Sequence, residues 1–426
     1  MMQGSRVFLR GTSSRILRVP VTAIYASRIL TPQEQLADSV ILTENGRITA
    51  IGHRDEVKIP SGAIDYVAAG MMVVPGFVDV HIHGAGGHDV MEATPAALDC
   101  ITSTVARYGT TSILATTVTA SVDETCRSLQ GIAQYIRAHE KHENIGANVE
   151  PNVEQQNPEP GTPELAAEIV GIHLEGPFIS KARRGVHRPD AIARPSVEIL
   201  EKFRAASDGL IRIVTIAPEI PGALDLIRYA LTNGIIAAIG HTDANFEQTQ
   251  AAIQAGARHS VHFYNAMRPF SHRDPGVIGA ILTDPDVTAE VIADGIHVAG
   301  PAIQVLLGTK GFDTVLLASD ATAATGMPDG NFRLGNFEVM VKDGVCRNAE
   351  GKLAGSTLTL DRALRYIIAL GVPLIDAVRM ATILPARRIS LAGKKGIIAV
   401  GADADLVVLT PDLRVVGAMT RGSRLA

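Results

Sequence analysis

The chain has 426 residues, of which 46% are hydrophobic and 19% charged, and its formal net charge is −5. This length allows one large barrel with a smaller appendage, or two or three ordinary domains. No apolar stretch approaches the roughly 20 residues that span a bilayer, and no basic block typical of nucleic-acid binding occurs. We therefore expect neither a membrane nor a nucleic acid as a partner.

The first 18 residues carry Arg6, Arg10, Arg15 and Arg18 without an acidic residue. They lack the apolar core of about 7–15 residues that a secretory signal needs, although a transit peptide can share this bias. We predict that residues 1–18 are a disordered N-terminal extension without function, with targeting or cleavage as the alternative.

The segment 19–72 predicts a small antiparallel β unit. Its β-like runs are Val21–Tyr25, Ser39–Thr43 and Arg47–Ile51, with a hairpin signal at Asn45 and Gly46. The same texture returns near the C-terminus. We therefore predict a small β-sandwich domain built from both ends of the chain, residues 19–72 and 381–426.

Residues 73–380 alternate between β-branched runs and helical patterns, which is typical of a parallel sheet covered by helices. Helix starts are indicated at Thr94-Pro95, Ser121 and Asn245. The predicted strands are Val73–His83, Thr110–Val118, Ile169–Glu175, Ile211–Ala217, Ile235–His241, Ser260–Tyr264, Ala289–Ala293 and Thr314–Ser319. Eight strand–helix units favour an α/β fold of the (β/α)₈ TIM-type barrel class over an open sheet.

Two segments interrupt this alternation. Residues 144–163 are rich in Glu, Pro, Asn and Gln and predict a solvated surface insertion. Residues 332–347 predict a β-hairpin that turns at Asp343-Gly344, after the eighth strand.

Six metal-ligating residues lie at or just beyond the C-terminal ends of the predicted strands, where a barrel gathers its functional groups. They are His81, His83, Glu175, His241, His262 and Asp320. The period of a strand puts His81 and His83 on one face. Such a pair is weak evidence on its own, but four histidines and two carboxylates at matching positions predict a metal centre.

We divide this centre into two positions. Glu175, His241 and His262 supply the three ligands of a site with room for water, here called the principal position. His81 and His83, sharing Glu175 and Asp320, could hold a second ion at what we call the second position. The cofactor is thus one or two divalent ions per subunit, and zinc, iron, cobalt and manganese all suit such ligands.

Asp320 and His173 have further possible roles. A divalent ion lowers the pKa of a water that it binds to about 7, and a nearby carboxylate such as Asp320 can take up and return a proton. Asp320 could instead cap a helix or only bind metal. His173 lies on the same strand face as Glu175, and we expect it to be a core or supporting residue.

The loops after the third and sixth strands are basic, although the protein as a whole is acidic. The basic residues are Lys181, Arg183, Arg184, Arg188, Arg268 and Arg273. Guanidinium groups suit phosphate, so these loops favour an anionic substrate, with a solvated charged surface as the alternative.

The sequence resembles the amidohydrolase superfamily and, more narrowly, its N-acetylglucosamine-6-phosphate deacetylases. The matching strings run in order over residues 75–356. They are Pro75-Gly-Phe-Val-Asp-Val-His-Ile-His-Gly84, Gly171-Ile-His-Leu-Glu-Gly-Pro177, Gly240-His-Thr242, His262-Phe-Tyr-Asn-Ala-Met267, His272-Arg-Asp-Pro-Gly276, Ala293-Asp-Gly-Ile-His-Val298, Ser319-Asp-Ala-Thr322 and Leu353-Ala-Gly-Ser356.

The resemblance implies hydrolysis of the acetamide of N-acetyl-D-glucosamine 6-phosphate, with Asp320 as the acid/base. The odd number of cysteines, without CxxC or CxxxC spacing, separately favours a reducing cytoplasm. The resemblance implies that His187 polarises the acetyl carbonyl and that Asn265 and Ala266 bind phosphate. It also implies a homodimer, in which Arg273 and His297 reach the phosphate in the neighbouring active site. Open alternatives are the galactosamine isomer, another amidase of the superfamily, and an inactive barrel that serves as a scaffold.

Overall fold

The computed structural model describes residues 21–146 and 165–423, so the predicted N-terminal extension and most of the predicted insertion lie outside the described residues. The strands are β1 (Thr22–Leu30), β2 (Gln35–Glu44), β3 (Arg47–His53), β4 (Ile64–Pro75), β5 (Phe77–Ile82), β6 (Gly84–Ala85), β7 (His88–Asp89), β8 (Thr110–Thr117), β9 (Glu168–Leu174), β10 (Ile211–Ile216), β11 (Ile236–Ile239), β12 (His259–Ser260), β13 (Thr288–Val291), β14 (Val315–Leu317), β15 (Gly330–Leu334), β16 (Phe337–Lys342), β17 (Val345–Asn348), β18 (Leu406–Leu409) and β19 (Val415–Met419). The α-helices are α1 (Pro95–Ala106), α2 (Val122–Gly146), α3 (Val197–Ala206), α4 (Ala223–Thr232), α5 (Phe246–Ala255), α6 (Gly276–Thr283), α7 (Gly300–Lys310), α8 (Leu360–Ala369), α9 (Leu374–Ala381) and α10 (Ile383–Arg388). Among the helices of the described ranges, none combines the length and apolarity needed to cross a membrane.

Eight parallel strands form the barrel, in the order β5, β8, β9, β10, β11, β12, β13 and β14. The ring closes beyond the end of β14, where Asp320 donates its backbone N–H to the carbonyl of His81 at 2.9 Å and His83 donates to the carbonyl of Ala321 at 2.8 Å. Helices follow the strands on the outside. The predicted (β/α)₈ barrel is therefore confirmed.

The local sequence explains these elements. Every residue of β8 is buried, because a barrel strand is covered on one face by the interior and on the other by helices. Helix α1 begins where predicted, with Pro95 in its first turn and the Thr94 side chain accepting the N–H of Ala97. Asn245 and Gln248 cap α5 reciprocally, which confirms the predicted capping box.

Both ends of the chain build the small domain. Its six-stranded sheet has the order β19, β18, β4, β1, β2 and β3, and β18 pairs antiparallel with β4, aligning Val408 with Val73. Apolar side chains pack on both faces of the sheet, with Ile24 and Ile41 in one cluster and Ala23 and Val40 in another. The predicted pairing of the two chain ends is confirmed.

Three details differ from the sequence interpretation. The run Val73–His83 divides at Gly76, so β4 stays in the small sheet as far as Pro75 and β5 enters the barrel. A Cβ at Gly76 would lie 2.1 Å from the Thr111 hydroxyl oxygen, so this crossing point admits only glycine.

Ala386 of α10, beyond the predicted barrel limit at 380, packs with Val78 inside the barrel floor. The predicted hairpin carries a third strand, because β15, β16 and β17 form one antiparallel sheet.

A buried ion cluster joins the small domain to the barrel. The Lys395 side chain is 1% exposed, and its Nζ lies 2.5 Å from Glu168 at the start of β9, 3.0 Å from Asp403 and 2.9 Å from Asp405. Burial alone would lower the pKa of Lys395, but the three carboxylates outweigh it and raise this pKa. Lys395 thus links acidic groups from two parts of the fold, while Arg47 also pairs with Asp403 at 2.8 Å and Arg421 approaches Glu168 at 3.7 Å.

Replacing Lys395 by Met should destabilise the protein by about 3–5 kcal/mol, because it leaves the buried Asp405 without the cation that pairs with it. Urea denaturation followed by circular dichroism measures this loss. The matched control is Lys394→Met, since the described residues place no carboxylate in an ion pair with Lys394. Equal unfolding midpoints for the two variants would show that the cluster does not stabilise the fold.

Candidate metal centre

The six predicted metal-ligating residues converge at the C-terminal end of the barrel. His81 lies on β5, and the others follow the ends of β5, β9, β11, β12 and β14. All six are at most 9% exposed: His81, His83, Glu175, His241, His262 and Asp320. Five of them line a cavity of about 240 Å³, and His81 lies behind it. Strand order therefore brings together residues that are far apart in sequence.

The backbone turns sharply at three of these positions. His241, His262 and Asp320 have positive φ angles of 45°, 27° and 50°. Residues other than glycine rarely adopt this region, which costs of order 1–3 kcal/mol for each residue and persists where the surrounding fold enforces it. Such strain is concentrated at functional sites. The three turns direct these side chains back over the barrel mouth.

Glu175 is the centre of the cluster. Its Oε1 lies 2.9 Å from Nε2 of His262, 3.2 Å from Nε2 of His241 and 3.3 Å from Nε2 of His81. Its Oε2 lies 3.3 Å from Nε2 of His83. One carboxylate therefore contacts both the principal and the second position, as the bridging interpretation predicts.

Asp320 completes the second position. Its Oδ1 lies 3.2 Å from Nε2 of His83 and 3.9 Å from Nε2 of His81. Burial would raise the pKa of Asp320, but the hydrogen bond with His83 and the charge of His81 outweigh it and lower this pKa to about 2. Asp320 is therefore ionised and can accept a proton.

The hydrogen bonds of the histidines determine where their protons lie. Nδ1 of His241 is 2.9 Å from the carbonyl of Arg183, and Nδ1 of His83 is 3.2 Å from the carbonyl of Thr116. Carbonyl oxygens accept only, so each Nδ1 carries the hydrogen. In the neutral rings, both Nε2 lone pairs then face carboxylate oxygens. This contact is repulsive unless a cation lies between the groups.

His81, which is more deeply buried, also has its Nδ1 beside an acceptor and its Nε2 directed at the cluster. Its Nδ1 is 2.9 Å from Glu290, while its buried Nε2 has no hydrogen-bond partner among the described residues. Imidazole nitrogens and carboxylate oxygens are the donor atoms that zinc and other transition metals take in proteins. The residues present therefore fit one or two divalent ions.

The pKa values of the cluster also indicate that these groups are stabilised by positive charge. Burial lowers the pKa of His83, but hydrogen bonds with Asp320 and Glu175 outweigh this effect and raise it to about 9. Burial would raise the pKa of Glu175, yet His81 and His241 hold it well below its ordinary value. Protons supply the required charge when metal does not.

His187 has the opposite tautomer. Its Nδ1 accepts the backbone N–H of Thr119 at 3.2 Å, so the neutral ring carries its hydrogen on Nε2, which lies 3.4 Å from Oε2 of Glu175. Burial, together with the charge of His241, lowers the pKa of His187 to about 4 and keeps the ring neutral. His187 is thus arranged as a hydrogen-bond donor rather than a metal ligand.

His173 lies in the core behind the cluster. Its Nδ1 is 3.2 Å from the carbonyl of Val80, and its Nε2 is 2.9 Å from the Thr215 hydroxyl. Both ring nitrogens are occupied by these contacts, and burial lowers the pKa of His173 to about 3. This position fits the core role expected from the sequence.

Glu290 and His259, which lie behind His81 with 0% exposure, were not predicted from the sequence as site residues. Glu290 was placed inside a predicted strand but was not recognised as a site residue. The available signal was a carboxylate in the middle of a strand buried on both faces, which requires donors or a cation.

The predicted substrate-binding residues are only partly together. Asn265, Ala266 and His297 line the cavity, whereas Arg273 is exposed outside it. His297 is held by its Nδ1 contact of 2.7 Å to Asp294. It lines the cavity of its own chain, and its reach into a neighbouring subunit stays a prediction.

Most of the basic loop residues already have partners. Arg183 pairs with Asp243 at 2.7 Å, Arg268 contacts Asp274 at 2.5 Å, and Arg188 pairs with Asp190. Arg184 donates to the carbonyl of His187 at 2.9 Å. These contacts favour loop structure over phosphate binding for four of the six residues.

Comparison with known proteins agrees with this geometry. A family model described as "Amidohydrolase family" matches residues 72–425. The chain belongs to the amidohydrolase family. This amidohydrolase is 38% identical to an N-acetylglucosamine-6-phosphate deacetylase of Vibrio furnissii over 93% of each chain. It is 36% identical to an N-acetylgalactosamine-6-phosphate deacetylase of Escherichia coli O157:H7, covering 92% of this chain and 95% of the relative.

A solved structure gives the same result. It is a mutant N-acetyl-D-glucosamine-6-phosphate deacetylase from Mycobacterium smegmatis in complex with N-acetyl-D-glucosamine-6-phosphate. Its TM-score with this amidohydrolase is 0.83 at 36% identity, with 95% of this chain and 99% of that chain covered. The similarity therefore extends over the barrel and the small domain.

Metal binding should release protons, since the ligand histidines must be neutral to coordinate an ion. The apparent affinity for Zn²⁺ should rise with pH below about 9, where His83 holds its proton in the metal-free protein, and level off above that pH. Calorimetry in buffers of different ionisation enthalpy counts the protons. A His83→Gln control should show a weaker dependence, and pH-independent binding by the unaltered protein would contradict the expectation.

Proposed function

We propose that this amidohydrolase hydrolyses the acetamide of N-acetyl-D-glucosamine 6-phosphate to D-glucosamine 6-phosphate and acetate, in amino-sugar catabolism or cell-wall sugar recycling. The observation that carries the proposal is the convergence of four histidine Nε2 atoms on Glu175, with Asp320 in contact with one of these histidines, His83. The similarity to deacetylases of phosphorylated amino sugars supports this substrate class.

The metal would be held at two positions. Glu175, His241 and His262 would hold the ion of the principal position, and His81 and His83 would hold a second ion, where one binds, together with Glu175 and Asp320. Zinc, iron, cobalt and manganese all suit these ligands. A bound divalent ion supplies Lewis-acid activation of water and of the acetyl carbonyl.

The chain itself handles the protons and orients the amide. Asp320, an ionised carboxylate at the cavity wall, takes a proton from the attacking water and returns it to the amine nitrogen as the C–N bond breaks. His187 donates its Nε2 hydrogen to the acetyl oxygen, which gains negative charge during attack. Because His187 has the opposite tautomer to the ligand histidines, it is suited to donate a hydrogen bond, whereas they are suited to bind metal.

An Asp320→Asn variant should retain the ion of the principal position and lose about 10²–10⁴-fold in kcat, because the amide keeps the shape but cannot accept the proton. Acetate release measures kcat, and elemental analysis measures metal content. A near-normal kcat with full metal content would contradict the role of Asp320.

We assign phosphate binding to Asn265, Ala266 and His297 of one chain. Arg273 is exposed, and no carboxylate partner for its side chain occurs among the described residues, so it remains suited to reach a neighbouring active site. Phe270 and Ile296, on the two segments that carry Arg273 and His297, are 56% and 43% exposed. Large exposed apolar side chains beside these residues support a homodimer.

The phosphate assignment predicts a large preference for the phosphorylated sugar, because a neutral sugar leaves the phosphate-binding groups unpaired. Acetate release from N-acetylglucosamine with and without the 6-phosphate measures it. Arg273→Gln should raise KM for the phosphorylated sugar, while a control Arg188→Gln should not. Equal rates on both sugars would refute the assignment.

The galactosamine isomer is the second candidate substrate, favoured by the 36% identity to the Escherichia coli N-acetylgalactosamine-6-phosphate deacetylase. The same acetate assay with N-acetylgalactosamine 6-phosphate compares the two isomers. A higher kcat/KM for the galactosamine compound would reassign the substrate.

We place the reaction in the cytoplasm. Cys100, Cys126 and Cys346 are all free thiols, which supports a reducing compartment. Phosphorylated amino sugars are charged metabolites, and this also agrees with an intracellular substrate.

A further inference from the structure

A buried carboxylate lies behind the second position and takes no part in the chemistry described above. Glu290 occupies the middle of β13, and His259 lies at the start of the neighbouring β12. Glu290, His259 and His81 are each 0% exposed. An ionised group at this depth is costly unless it is fully paired, so its contacts indicate what it serves.

The Glu290 carboxylate receives three hydrogen-bond donors. Its Oε2 lies 2.9 Å from Nδ1 of His81 and accepts the backbone N–H of His262 at 3.4 Å. Its Oε1 lies 2.6 Å from Nε2 of His259, whose other nitrogen is 2.7 Å from the Thr288 hydroxyl. Burial would raise the pKa of Glu290, but His259 and His81 hold it well below its ordinary value.

These contacts distinguish His81 from the other ligand histidines. His83 and His241 give their Nδ1 hydrogens to neutral carbonyl oxygens, those of Thr116 and Arg183. His81 gives its Nδ1 hydrogen to a carboxylate. A carboxylate partner fixes the tautomer, orients the ring and increases the basicity of the opposite nitrogen, so it strengthens that nitrogen as a ligand.

We propose that Glu290, held in place by His259, is a positioning residue that makes His81 a strong ligand and thereby sets the occupancy of the second position. His259 fixes the carboxylate from behind, and the carboxylate fixes the His81 ring. The inference rests on the metal assignment in the proposed function. It goes further in naming the buried pair that decides whether one ion or two are bound.

A purely structural role for Glu290 has a different expectation. Glu290 also ties β13 to β12 through its backbone carbonyl, which accepts the N–H of Phe263 at 2.8 Å. If the side chain only filled the core, its replacement would weaken both metal positions alike or neither. Among the described residues of the principal position, Glu290 contacts only the backbone N–H of His262, at 3.4 Å, whereas it holds the ring of His81 at 2.9 Å. This difference makes the two roles separable.

The test is a Co²⁺ titration of metal-free protein, followed by calorimetry and elemental analysis. Glu290→Gln keeps the size of the side chain but removes its charge. We expect the affinity of the second ion to fall by about 10–100-fold while the first ion binds as before. Glu290→Asp should recover part of the loss, and His259→Gln should produce a smaller one.

The matched control is His173→Asn, a buried histidine whose ring centroid is 4.6 Å from that of His81 without contacting its Nδ1. This variant should bind both ions as the unaltered protein does. Equal loss at both positions in Glu290→Gln, no loss at either, or a single ion in the unaltered protein would each overturn the proposal.

A double-mutant cycle guards against variants that fold poorly. In a His81→Asn background, Glu290→Gln should cause no further loss of metal, because the carboxylate acts through the His81 ring. An additional loss would overturn the proposal. These titrations use no sugar, so a failure of the deacetylation assay and a failure of the Glu290 assignment are read separately.

Discussion

The site depends on one buried carboxylate surrounded by nitrogen lone pairs. Glu175 lies within 3.3 Å of Nε2 of His81, His83, His241 and His262. Since backbone carbonyls and Glu290 hold the Nδ1 hydrogens of three of these rings, the atoms around Glu175 repel one another without a cation. The barrel brings the groups together, and the positive charge that they require makes the assembly stable.

The hydrogen-bond partner of Nδ1 also separates the histidines suited to metal binding from His187, which is suited to act on the substrate. A histidine whose Nδ1 donates to the protein presents a lone pair to the cavity, whereas His187, whose Nδ1 accepts from Thr119, presents a hydrogen. Backbone groups thus assign opposite roles to identical side chains. Both carboxylates line the cavity, but Asp320 is the more exposed of the two, at 9% against 3% for Glu175, and is therefore better placed to meet water and substrate.

Strand periodicity and position explain what the sequence could predict. The eight β-branched runs, the capped helices and the ligating residues at strand ends were all readable, because each has a local pattern. Glu290 and His259 were not predicted, since a carboxylate inside a buried strand indicates a need for donors or a cation but does not show which residues supply them. The division at Gly76 depends on a tertiary contact with Thr111 and therefore leaves no periodic signal.

The pairing of β4 with β18 has a consequence for biosynthesis. Val73 and Val408 are neighbours in the sheet although 335 residues separate them in the chain (408 minus 73). The floor of the barrel likewise stays incomplete until Ala386 of α10 packs against it. During translation β4 and the barrel strands emerge before β18 and α10. Until those elements follow, one edge of β4 is unpaired and the barrel is open at its base. The finished fold can therefore form only after the ribosome has released nearly the whole polypeptide, and the nascent chain exposes apolar surface to chaperones until then.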